Sequence, residues 1–315
     1  MSFIPGILLV SALASWAPST TSNSQHQAIK GGTVDGSVAA IGRVVGHTLW
    51  IPTRTCSGTL VAPGLVLTAA HCIQEDAGQI TFEVTDPDDG TKTVASFAVK
   101  TALAHPAYKA YYDDEKTHTE HDVAMLILTD EVPSSVATPA PLHRAALTDD
   151  LVNTSVLAVG YGGTGSDGEG AGTKRSVQLW IASFDELRIG LWPHDMEGVT
   201  DGAPQEIDGG LCSGDSGGPD LFVEGDGTRS VIGVHSMGSH TCAASESTRI
   251  DVHLQDFLDP IMTGDVPPGC EGSTLTDAVC LPELEGTCSA GLEPHGVGTL
   301  AVALLAARRR RRPRG

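Results

Sequence analysis

The stretch "LCSGDSGGP", residues 211–219, sets glycines around two side chains capable of chemistry, Asp215 and Ser216. Glycine-rich runs are common in loops. A serine hydroxyl is a weak nucleophile at neutral pH and needs a base beside it, with a third group to orient that base. Whether Ser216 is a nucleophile therefore depends on whether a matching histidine and carboxylate lie elsewhere in the chain.

Upstream, "CSGTLVAPGLVLTAAHC", residues 56–72, carries His71 at the end of an apolar run, next to a cysteine. Cys56 and Cys72, sixteen residues apart, are placed to close a loop just behind that histidine. A cross-link over a loop of that size stabilises a fold by about 3 kcal/mol in the chain-entropy account. Further on, "HDVAMLIL" opens a strongly apolar strand with Asp122. A carboxylate at the edge of a buried strand is costly unless something pairs with it, and a histidine N–H is a suitable partner.

The remaining pattern is one of short strands. "LVAPGLVLTAA", "ITFEV", "TVASFAVK", "DVAMLIL", "SVLAVGYG", "SVQLWIASF" and "SVIGVHSMG" recur between Gly, Pro and Asp breaks with no helices among them. That spacing points to antiparallel barrels or sandwiches. "GGTGSDGEGAGTKR", 162–175, reads as a mobile surface loop. Only "DVHLQDFLDPIM", 251–262, has helical spacing, with Val252, Leu254, Phe257, Leu258 and Ile261 on one face.

Three segments in this order, "LTAAHC", "HDVAMLIL" and "GDSGGP", resemble the trypsin/chymotrypsin family of serine proteases, and "AHPAY" and "IKGG" are similar to further family segments. The likeness spans about Ile29 to Met262. It implies an all-β fold of two packed six-stranded antiparallel β-barrels with a C-terminal helix. It also implies a serine endopeptidase in which His71 is the general base, Asp122 orients it, and Ser216 is acylated. Gly214 and Ser216 would supply the oxyanion-binding N–H groups. Cys212 would bridge Cys242 across the substrate pocket, and Ser236 would hydrogen-bond near Asp122. Asp215 would pair with a new N-terminus at Ile29, freed by an activating protease that cuts after Ala28. Lys30 departs from the valine usual after that isoleucine. The rival reading is a catalytically silent binding or adhesion protein on the same scaffold.

For specificity, the family resemblance directs attention to Gly210, Ser213, His235, Ser236, Met237 and Gly238. Trypsins carry an aspartate where this chain has Gly210, so cleavage after Lys or Arg is not expected, and Gly238 leaves the pocket entrance open. His235 and Ser213 are similar in placement to the groups with which bacterial glutamate-specific members hold a substrate carboxylate. This makes acidic-residue cleavage an alternative to a pocket for uncharged side chains.

The domain reading is a signal peptide over 1–17, a short propeptide over 18–28, the protease over 29–263, a Cys-containing stalk over 264–290, and an apolar segment with an Arg-rich tail over 291–315. Cys270 and Cys280 can pair across the stalk, leaving Cys288 as the odd thiol. The tail, with Cys288 before an apolar run and an arginine cluster, resembles the MYXO-CTERM sorting tails of bacterial surface proteins. It implies processing near Cys288 by a sorting protease and transient or permanent membrane contact through 291–315. The run Val297–Ala307 is eleven residues, short of the roughly 20 of a stable span. Net charge is −20, and without the six terminal arginines the chain has 13 basic against 39 acidic residues. Such a surface repels nucleic acid and anionic lipid. A secreted or surface-exposed bacterial monomer acting on proteins or peptides is expected. No cofactor is expected, and no metal, because no CxxC pair occurs and the histidines lack ligand spacing.

Overall fold

The computed structural model describes residues 29–48, 51–73, 79–113, 116–165, 168–193, 209–239 and 241–280. The expected signal peptide, propeptide, Cys288 and sorting tail lie outside the described residues. The first half of the chain holds β1 (Thr33–Val34), β2 (Ile41–Thr48), β3 (Ile51–Ala62), β4 (Leu65–Thr68), β5 (Gln79–Thr85), β6 (Thr93–Ala104), the hairpin β7 (Lys109–Asp113) and β8 (Lys116–Glu120), and β9 (Ala124–Leu128). The second half holds β10 (Ser155–Gly160), β11 (Arg175–Phe184), β12 (Arg188–Trp192), β13 (Pro219–Val223), β14 (Arg229–Gly238) and β15 (Ser245–Arg249).

Two closed six-stranded antiparallel barrels result. The first runs β2-β3-β4-β9-β6-β5. The second runs β11-β10-β13-β14-β15-β12 and closes through the β11–β12 pairing, with β1 added alongside β11. Period-two alternation builds the first barrel: in β5, Ile80, Phe82 and Val84 turn inward while Gln79, Thr81 and Glu83 turn out. Pro63-Gly64 makes the tight turn between β3 and β4, so that one apolar run becomes a hairpin.

Three segments depart from the sequence pattern. The 162–175 stretch is anchored at both ends rather than standing free. Gly162 N–H donates to Asp215, and Lys174 is fully buried, with its ammonium donating to the carbonyls of Val38 and Ile41. Burial pushes the Lys174 pKa down to about 8, opposed by the charge of Asp35. The C-terminal helix is composite: a 3₁₀ turn over Asp251–His253, a wide π turn over Leu254–Leu258, and α1 (Asp259–Thr263), ended by Gly264 in the left-handed region. Val252, in the 3₁₀ turn, is 39% exposed, while Leu254, Phe257, Leu258 and Ile261 are buried. Finally, residues 264–280 of the expected stalk pack on the body. Ala278 is buried, Val266 and Leu275 join the first barrel's core, and Thr101 Oγ1 donates to the Thr276 carbonyl.

Candidate active site

His71 sits in the 3₁₀ turn Ala70–Cys72 directly after β4. A disulfide from Cys72 to Cys56 of β3 ties that turn to the barrel wall. Arg54 also donates to the His71 carbonyl at 2.7 Å. Asp122 leads into β9 and is completely buried. Its charge is met by three donors. His71 N–H reaches Oδ1 at 2.9 Å, His71 Nδ1 reaches Oδ2 at 2.7 Å, and Ser236 Oγ reaches Oδ2 at 2.5 Å. Ser236 spends its one proton on the carboxylate, so it accepts from Thr119 Oγ1 at 2.8 Å. With Nδ1–H committed to Asp122, a neutral His71 carries its lone pair on Nε2.

Ser216 lies beside this ring. Its carbonyl oxygen is 3.7 Å from Cys72 Sγ, and His71 Nε2 is 3.8 Å from the same sulfur. Among the described residues no hydrogen bond joins Ser216 Oγ to Nε2, the looser arrangement common in ligand-free sites. The segment around the serine is held from the first barrel by Ser57. Ser57 N–H donates to the Ser216 carbonyl at 2.8 Å, and its hydroxyl donates to the Gly214 carbonyl at 3.0 Å. The amides of Gly214 and Ser216, by contrast, have no partner among the described residues. Gly214 has φ +99°, and a Cβ there would come within 2.9 Å of Gly162 Cα. Only glycine satisfies both constraints.

Asp215 points the opposite way, into the interior. Its Oδ1 accepts from Gly162 N–H at 2.7 Å and its Oδ2 from Cys212 N–H at 2.9 Å. Burial raises its pKa to about 6, opposed by those two amides and by the charges of His235 and Arg175. Ile29 is fully buried, and the adjacent Lys30 bridges to Gly210, five residues before Asp215.

A cleft of about 200 Å³ opens beside Ser216, lined by Leu211, Ser213, Gly238, Ser239 and the Cys212–Cys242 disulfide. Among the described residues no charged side chain lines it. His235 is absent from this wall, which speaks against the alternative in which it receives a substrate carboxylate and for a core histidine. It is 1% exposed inside the second barrel, with Nε2 3.0 Å from Asp220 Oδ1 and Nδ1 3.2 Å from the Asp215 carbonyl. Both nitrogens are occupied by the protein. Gly210 and Met237 also stay out of the lining, and Ser236 faces Asp122 instead. Nor is Gly238 simply an open entrance: a Cβ there would meet the Leu211 carbonyl at 2.6 Å.

Residues 34–261 match the family model described as Trypsin. The chain belongs to the trypsin family of serine proteases. It is 31% identical over 265 residues to "Venom serine protease Bi-VSP" of Bombus ignitus, covering 76% of this chain and 70% of that protein. It is 32% identical over 191 residues to "Trypsin" of Simulium vittatum, covering 58% of this chain and 70% of the relative. It is 28% identical over 218 residues to "Chymotrypsin-like elastase family member 1" of Homo sapiens, covering 65% of this chain and 79% of the relative. The trypsin-family chain is thus a serine endopeptidase, a hydrolase of protein substrates. Among its described residues no helix is long and apolar enough to cross a membrane.

Two supporting residues of this trypsin-family site are not evident from the sequence. Thr119 lies in a polar strand and Ser57 follows a cysteine, and neither spacing nor motif marks them. They matter because the fold carries them to Ser236 and to Gly214.

Proposed function

We propose that this protein cleaves peptide bonds through an acyl-enzyme on Ser216, with His71 as general base and then general acid and Asp122 holding the imidazole. The observation that supports this most is the buried Asp122 carboxylate on His71 Nδ1, next to two unengaged amides at Gly214 and Ser216. The serine proton passes to His71 Nε2 as Oγ attacks the carbonyl carbon. The oxygen that becomes negative is received by the two amides, and the imidazolium formed is stabilised by Asp122. His71 then returns the proton to the leaving amine, and water repeats the sequence to release the acid. Labelling of Ser216 by a fluorophosphonate in processed protein tests the assignment. Labelling elsewhere, or none in folded protein, would refute it.

Primary specificity is non-tryptic and directed at uncharged side chains. An aspartate at position 210 is excluded by the backbone, since Gly210 has φ +153° and a Cβ there would lie 1.8 Å from the Cys242 carbonyl. Leu211 then offers the cleft an apolar wall, and among the described residues no charged side chain lines it to hold Lys, Arg, Asp or Glu. A peptide library varied at the residue before the scissile bond reads this directly. A preference for a charged residue would overturn it.

Activation follows from Asp215. Asp215 is fully buried and its hydrogen bonds come from two amides, while His235 and Arg175 act on it through their charge without forming an ion pair among the described residues. An ammonium created at Ile29 by a cut after Ala28 would provide one, and the precursor would be nearly inactive until then. The leader directs export. The tail holds the enzyme at the cell surface until it is processed near Cys288. Intact-mass measurement of cell-associated and released protein distinguishes a trimmed tail from one still carrying Arg308–Arg314.

A further inference from the structure

Three histidines that are far apart in sequence come together outside the catalytic cleft. His105 follows β6, His121 immediately precedes Asp122, and His253 closes the 3₁₀ turn after β15. Each offers one ring nitrogen to a cluster in which these atoms all lie within 4.8 Å of one another. The His105 and His121 rings stack at 4.9 Å, and His253 stands across them at 4.7 and 5.2 Å. His105 and His253 are buried, at 4% and 1% exposure.

A cluster of imidazoles that served only as packing would find hydrogen-bond partners for its nitrogens. These do not. Neither nitrogen of His253 has a partner, nor does Nδ1 of His121, although all three atoms are buried. Asp256 closes the fourth side, with Oδ2 3.5 Å from His105 Nε2, and it is half exposed, which leaves an approach from solvent.

We propose that His105, His121 and His253, with Asp256, form a binding site for a divalent transition metal, with zinc as the ion the donor set suits. Three imidazoles and a carboxylate are a zinc-type set, and a four-coordinate ion with bonds of about 2.0–2.1 Å needs its ligand atoms roughly 3.4 Å apart. The side chains must close by on the order of 1 Å, a torsional adjustment within reach of exposed Asp256 and half-buried His121. Burial lowers the pKa of all three histidines, that of His253 to about 3, so their lone pairs are available at neutral pH. One local rearrangement comes with binding. His105 Nδ1 accepts Ala107 N–H at 3.1 Å, and ligation through Nε2 places the ring proton on Nδ1, so that bond is given up. The metal would join the end of β6, the turn carrying Asp122 and the C-terminal helical segment at one point.

The test uses the full-length Ser216→Ala protein, which cannot digest itself, titrated with zinc by calorimetry. The expected result is one equivalent per chain, a Tm that rises with zinc, and visible absorption of tetrahedral type when cobalt(II) replaces it. Among the described residues His71 is the competing histidine at the cleft, so binding must survive when His71→Ala is added. Affinity should drop by at least about 100-fold in His253→Phe and in His121→Asn. Should the buried His253→Phe variant not fold, His121→Asn at the half-buried position carries the comparison. Absence of binding, binding lost with His71→Ala, or unchanged affinity in folded His121→Asn would each overturn the proposal.

Discussion

Two of the histidine–aspartate pairs among the described residues have opposite consequences. In the first barrel, His71 meets Asp122 at 2.7 Å with its side chain 23% exposed. In the second, His235 meets Asp220 at 3.0 Å with both side chains sealed, at 1% and 0% exposure. The rim pair engages one ring nitrogen and leaves the other toward the cleft. The interior pair engages both, since Nδ1 also donates to the Asp215 carbonyl. A ring that donates at both nitrogens is an imidazolium. Burial opposes that charge, but the Asp220 charge and hydrogen bond outweigh it and raise the His235 pKa. The same two residue types thus leave a ring nitrogen open at the rim, as the proposed proton carrier needs, and make an ionic cross-brace where neither nitrogen is open.

The sharpest way to break this contrast is to neutralise each aspartate in turn. Asp122→Asn should lower kcat by about 10⁴, the size expected from the family's own Ser-His-Asp enzymes, with little change in Tm, because an amide favours the wrong His71 tautomer. Asp220→Asn should do the reverse. It leaves a buried imidazolium without its counter-ion and should cost about 3–5 kcal/mol in denaturant unfolding, while the folded fraction keeps its kcat. A large rate loss in folded Asp220→Asn would show that the interior pair also serves the chemistry.

The interior pair also carries a pH signature. A histidine whose folded pKa is raised contributes stability that is complete below its unfolded value of about 6.5 and is lost as pH rises through the folded value. The urea midpoint should therefore fall above about pH 6.5 in the wild type, and Asp220→Asn should remove that fall. The smallest effect belongs to Ser236→Ala. It deletes one of three donors to Asp122 and leaves Thr119 without its acceptor, for a loss of about 1–3 kcal/mol read as lower kcat, stability or both. An unchanged enzyme would mean that the two His71 donors suffice.

The sequence makes different parts of this molecule legible for different physical reasons. Strands with one wet face announce themselves by alternation, as in β5, and the seven apolar runs each contain a strand. Strand β15, "SESTR", does not, because its buried residues Ser245, Ser247 and Thr248 are polar and face neighbours rather than an apolar core. His71 and Asp122 stand out because each lies at the end of an apolar run, where a polar side chain is conspicuous. His235 also stands out, but sequence cannot tell which wall of a barrel strand a side chain faces. Asp220, the residue that claims it, sits in the run after "GDSGGP", where nothing marks it as a partner. The cluster of His105, His121 and His253 is invisible for a further reason: metal-ligand spacing is a local pattern, and these residues meet only through tertiary structure.

The hydroxyl of Ser57 reaches the Gly214 carbonyl across 157 residues of chain. One strand residue of the first barrel therefore holds the backbone beside Ser216, the proposed nucleophile, in the second. A chain emerging from synthesis completes the first barrel, with His71 and Asp122, while Ser216 is still to be made. The second half closes its own barrel, but the hold of Ser57 on the Gly214 carbonyl forms only once the two barrels meet. In this order of assembly the proposed site comes together only after the segment with Ser216 has been made and has met the first barrel.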